Sequence, residues 1–219
     1  MSRVDLYANV HKGVRAALSQ TALLAGRTDF SSPAEAAEAA RVALRLVALL
    51  DDHARHEDRE VMPRLALIAP EVHADLQAEH ARTEGLQREL ADLAERLPSA
   101  PPAQRLSLGR RLHDALWRLA AEHLRHMDRE ETSAMRALWA HYTDEDLEAI
   151  HARIVASIPP DAMAEWAAIL LPAVSLPERT AMLAPLAQKL PRPAFMSLLG
   201  PARAALGERW AETAAAVGL

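Results

Sequence analysis

Apolar and polar positions alternate on a helical period through nearly the whole chain. From Asp5 to about Leu24, the residues Tyr7, Val10, His11, Val14, Leu18 and Leu23 or Leu24 recur at steps of three and four, which predicts a first amphipathic helix. Ser31-Ser32-Pro33-Ala34-Glu35 then supplies a cap, a first-turn proline and a first-turn acid. A second helix should run from there to about Leu67, with Pro63 kinking or ending it. The third begins near Pro70 and reaches about Leu97, along a seam of Leu76, His80, Leu86, Leu90 and Leu93. Pro98–Pro102 breaks the pattern, and a fourth helix follows from about Ala103 to His141 on the stripe Leu112, Leu116, Leu119, His123, His126, Glu130, Ala134 and Ala137. Scarce glycine and few β-branched residues argue against long strands, so the fold class is all-α.

Beyond Tyr142 the rhythm changes. Thr143-Asp144-Glu145-Asp146 has the form of another capped, acid-rich helix start. Short helical stretches follow, punctuated by Pro159-Pro160, Pro172, Pro177, Pro185, Pro191, Pro193 and Pro201. Residues such as Met163, Trp166, Ile169, Leu183, Phe195, Leu199 and Leu206 give these stretches apolar faces, and no histidine occurs after His151. The expected organisation is a bundle over 1–142 and a short-helix extension over 143–219 whose role is packing or partner binding.

The stripes carry residues that a plain core would not. His126 and Glu130 stand one turn apart on the inward face of the fourth helix. A near-copy lies upstream, HARHEDRE from His53 against HLRHMDRE from His123. Aligned letter by letter, His56 and Glu60 correspond to His126 and Glu130. His53 and Glu57 form an alternative pair at the same spacing. On the favoured alignment His53 and His123 are neighbouring donors or packed imidazoles, with a ligand role as the further alternative for each, and Glu57 falls to the solvated flank. His80 with Glu84 gives a third pair, His11 adds an imidazole from the first helix, and Glu79, Arg82, Arg88 and Glu89 read as a solvated face. A buried carboxylate costs several kcal/mol or more unless it is paired or coordinates a metal. Two HxxxE pairs on facing helices therefore point to a dinuclear centre, for which imidazole and carboxylate suit iron, manganese or zinc.

Composition narrows the chemistry further. With no cysteine among 219 residues, thiolate sites and disulfides are excluded. The net charge of −5 is well mixed and offers no basic stripe, which argues against a nucleic-acid partner. The longest apolar run, around Ala167–Val174, is too short to span a bilayer and contains Pro172. The opening MSRVDLYANVHKG has no apolar signal-peptide region, so a cytoplasmic location is expected. Exposed Leu and Trp in the extension would be compatible with a homodimer.

Four texts in order, VHKGVRAAL, HARHEDREVMPRL, AEHARTEGL and HLRHMDREE, resemble the hemerythrin-like (HHE cation-binding) proteins over about residues 5–142. The resemblance implies an up-down four-helix bundle with a non-haem di-iron centre. It would make His11, His56, His80 and His126 imidazole ligands, and Glu60 and Glu130 bridging carboxylates. Oxygen-carrying members have a second His on the third helix, where this chain has Glu84. An extra carboxylate there would favour oxidised metal over reversible O2 carriage. Relatives include iron and redox sensors, nitrosative-stress proteins and peroxide-consuming proteins. The implied partner is thus a diatomic ligand or peroxide. Two further readings are a di-iron oxidase or catalase-like enzyme, and a helical interaction protein with a structural metal site.

Overall fold

The computed structural model describes residues 3–219, and every regular element among them is helical. In order these are α1 (Ala8–Arg27), α2 (Pro33–Glu60), α3 (Met62–Ile68), α4 (Pro70–Arg96), α5 (Pro102–Arg129), a π-helical turn (Glu130–Ala134), α6 (Met135–His141), α7 (Asp144–Ser157), α8 (Pro160–Ala173), α9 (Leu176–Lys189), α10 (Arg192–Leu206), a 3-10 turn (Gly207–Arg209) and α11 (Trp210–Ala216). The chain divides into two compact units. The first comprises the segment up to Tyr7 and Ala17–Ile150; the second comprises Ala8–Ala16 and His151–Leu219. Where the sequence suggested a boundary at Tyr142, the units divide after Ile150, inside α7, and Ala8–Ala16 falls in the second unit.

In the first unit α2 packs along α4, and α4 along α5. Ser32 caps α2 by accepting from the Glu35 amide, and Pro33 opens it. Pro63 has no amide hydrogen and its ring crowds the preceding turn, so α2 stops at Glu60 and the chain restarts as α3. The core between the helices is mostly leucine: Leu46, Leu50, Leu76, Leu90, Leu112, Leu116 and Leu119 are all nearly or fully buried. Each such side chain contributes about 1.5–3 kcal/mol by leaving water.

Two polar devices fix the unit's ends. The buried Arg105 guanidinium donates to the carbonyls of Phe30 (3.0 Å), Ser31 (2.9 Å) and Ala100 (3.1 Å), pinning the α1–α2 loop onto the start of α5. Phe30 in turn lies so close to Gly109 that a Cβ there would sit 2.2 Å from its ring, so only glycine fits. Near the other end Arg3 donates to Asp144 (3.0 Å) and to the carbonyls of Tyr142 and Trp139, while Trp139 Nε1 donates to Val4 O (2.7 Å). This strap holds the segment that leads into Tyr7.

The second unit has its own core of Leu171, Leu183, Phe195, Leu199, Ala202 and Leu206. Ser175 and Glu178 form a capping box at the start of α9, and Lys12 Nζ donates to the same Glu178 (2.5 Å). Pro160, Pro177 and Pro193 open helices, as their spacing suggests. Pro172, Pro185 and Pro201, read in the sequence as breaks, lie inside α8, α9 and α10 instead. Among the described residues no single helix is long and apolar enough to cross a membrane.

Candidate metal centre

The buried stripe of α2 runs Leu46, Leu50, His53, Glu57, at steps of four, three and four, and then continues to Val61. That of α5 runs Leu119, His123, His126, Glu130, with the same steps. The helical pairs that face the interior are therefore His53/Glu57 and His126/Glu130. His53 Nε2 lies 3.1 Å from Glu57 Oε1, and His126 Nε2 lies 3.4 Å from Glu130 Oε2.

From α4, His80 completes the cluster. Its Nε2 is 3.1 Å from His126 Nε2 and 3.6 Å from Glu57 Oε2. Glu57, His80, His126 and Glu130 each offer a ligand atom within 4.8 Å of all the others, and so do His53, Glu57 and Glu130. Two donor sets thus share both carboxylates.

The outer nitrogens of two imidazoles are also fixed. His80 Nδ1 lies 3.1 Å from Asp58 Oδ1, and His126 Nδ1 lies 3.2 Å from Glu79 Oε2. Arg129 Nε donates to the other oxygen of Glu79 (3.0 Å), and Arg129 Nη1 donates to Asp75 (2.6 Å). A carboxylate stands against each Nδ1, so the Nε2 atoms, which point together, are the ring nitrogens that would take a cation once free of their proton. Two ligand atoms about 2.1 Å from one cation at right angles stand about 3.0 Å apart. The Nε2–Nε2 separation of 3.1 Å has that value. The residues present fit a metal site.

Electrostatics agree with a site made for positive charge. Burial pulls the His80 imidazole down, but the hydrogen bond and charge of Glu57, with Glu130 and Asp58, outweigh it and hold its pKa at about 9. Tyr7 is fully buried, and burial together with Glu130 and Glu57 keeps its phenol protonated far above the usual range.

Several sequence expectations change. His56 and Glu60, favoured by the letter-by-letter repeat, are not in either donor set. His56 Nε2 is 3.4 Å from Asp52, and Glu60 stands beside Arg59 (3.4 Å) and Arg64 (3.7 Å) on the rim. The packing aligns the helices 73 positions apart, not the 70 of the text repeat, because only that offset keeps Leu50, His53 and Glu57 on one inward face. His53 and Glu57, the alternative pair, take the interior. Glu84 is exposed: the inward face of α4 carries Leu76, Glu79, Thr83, Gln87 and Leu90. Glu79 accordingly moves from the expected solvated face to the interior. His11 is fully buried on α1, in the stretch that clusters with the second unit. His123 is buried but belongs to neither donor set. No period in the sequence announced the π-turn that follows Glu130. Beyond it Ala134 is buried as expected, but the buried positions then become Met135 and Leu138 where the stripe had led to Ala137.

The profile of the hemerythrin HHE cation binding domain matches residues 2–138. The chain belongs to that family. Comparison with curated proteins and with solved structures gave no significant match. The match covers the bundle that carries every residue of the two donor sets, and the hemerythrin-like domain implies a metal cofactor held by its His and Glu side chains.

Proposed function

We propose that this hemerythrin-family protein holds a pair of iron ions and uses them to bind or sense a small ligand such as O2, NO or peroxide. The observation that carries the reading is the sharing of Glu57 and Glu130 by two donor sets. A carboxylate offers two oxygens, so each can serve two cations at once, and mutual repulsion between buried carboxylates then becomes attraction to the metals. In this reading Glu57, Glu130, His80, His126 and His53 would hold the ions, the two carboxylates being common to both donor sets. The family resemblance would make the first-helix imidazole, here His11, a candidate ligand as well. Imidazole and carboxylate also suit manganese and zinc; the family resemblance favours iron.

Bound iron would supply one-electron redox chemistry. The chain's own groups do the rest. Asp58 and Glu79 hold protons on Nδ1 of His80 and His126, which raises the donor strength of each Nε2. Buried Leu50, Leu119 and Met127 line the same helix faces and keep bulk water away. Metal analysis with an optical spectrum in air tests the proposal. Two iron ions per chain and near-ultraviolet and visible bands are expected, both lost in Glu130→Gln. Protein that takes up no stoichiometric metal, and whose melting temperature ignores added Fe(II), would refute it. Steady hydrogen peroxide turnover would place the protein among the di-iron enzymes, and reversible binding without turnover among the sensors or carriers.

A further inference from the structure

Next to the two donor sets stands an imidazole that neither uses. His123 is 5 % exposed, and neither of its ring nitrogens meets a hydrogen-bond partner among the described residues. Its ring meets that of His126 edge to face, with centroids 6.4 Å apart. His126 belongs to one of the donor sets, so His123 stands beside residues that would hold the metal. Packing does not require an imidazole there. The equivalent position on α2, one turn before the interior pair, is the fully apolar Leu50. A bundle that accepts leucine at one of two matching positions and buries a polar ring at the other keeps that ring for something it contacts.

We propose that His123 forms the polar wall of the pocket where a small anionic or oxygen-bearing ligand binds beside the metals. A neutral imidazole offers one N–H donor and one acceptor. Its N–H would donate to the outer atom of a ligand such as peroxide, nitrite or azide. The reading rests on the metal pair proposed above. It adds what that pair binds and which side chain holds it.

Azide is the probe, titrated into full-length, iron-loaded, air-oxidised protein and followed by visible absorption. His123→Leu copies the α2 residue and should weaken azide about tenfold, the worth of one hydrogen bond to an anion. It should leave two metals per chain. It should also raise the melting temperature of the metal-free protein, because the buried unpartnered ring is gone. His123→Asn, which restores a donor, should recover most of the azide affinity. Unchanged azide binding in folded His123→Leu would overturn the proposal, as would loss of metal from it, which would make His123 a ligand. Wild-type protein that takes no metal fails the metal reading itself, and the pocket with it. Metal-loaded wild type that binds no azide fails the pocket alone.

Discussion

Loading the centre with a divalent cation should expel a proton, and His80 sets the size of the effect. In the metal-free protein Glu57 at 3.6 Å, with Glu130 and Asp58, holds this imidazole at a pKa of about 9, against an ordinary value near 6.5. At neutral pH the ring is therefore charged, and its Nε2 becomes a ligand only after losing the proton. Below pH 9 the apparent metal affinity should rise about tenfold per pH unit, so moving from pH 7 to 9 strengthens binding about 100-fold, or about 2.7 kcal/mol. The sign for stability is opposite. A folded pKa raised above the unfolded one gives stabilisation that is complete below about 6.5 and disappears as pH rises through 9. For metal-free protein that loss is about 3 kcal/mol, so its denaturation midpoint should fall over the same range in which metal affinity grows. Calorimetric titration with zinc in two buffers of different ionisation enthalpy counts the proton, and chelator competition at three pH values gives the slope. Binding at pH 7 without proton release, and an affinity flat between pH 7 and 9, would refute the argument.

Three further outcomes follow from the geometry. Glu57→Gln should remove a donor from both sets and abolish stoichiometric metal, whereas Glu60→Gln on the rim should leave metal content intact; atomic absorption on the two purified variants decides between the registers. Glu79→Ala leaves His126 Nδ1 and the Arg129 guanidinium without their shared carboxylate, and should cost about 3 kcal/mol in denaturant unfolding. Gly109→Ala forces a methyl into the Phe30 ring and should cost about 1–3 kcal/mol, read as a lower melting temperature.

Much of this protein is written locally. Helix starts at Pro33, Pro70 and Pro102, the stop before Pro63, and the concentration of imidazole and carboxylate on apolar stripes all follow from propensity and period, which act over a few residues. For the same reason the family was legible in four short texts. Tertiary structure alone decided which of two overlapping HxxxE pairs turns inward. His53/Glu57 and His56/Glu60 differ by less than one turn, and a sequence stripe is too broad to separate them. The choice came from how α2 rotates to bury Leu46, Leu50 and Val61. The same rotation argument sends Glu79 in and Glu84 out on α4, and the π-turn re-phases the chain after Glu130. Periodicity fixes which residues lie along a helix face; only packing against neighbours fixes the angle at which that face meets the core, and a metal centre depends on that angle.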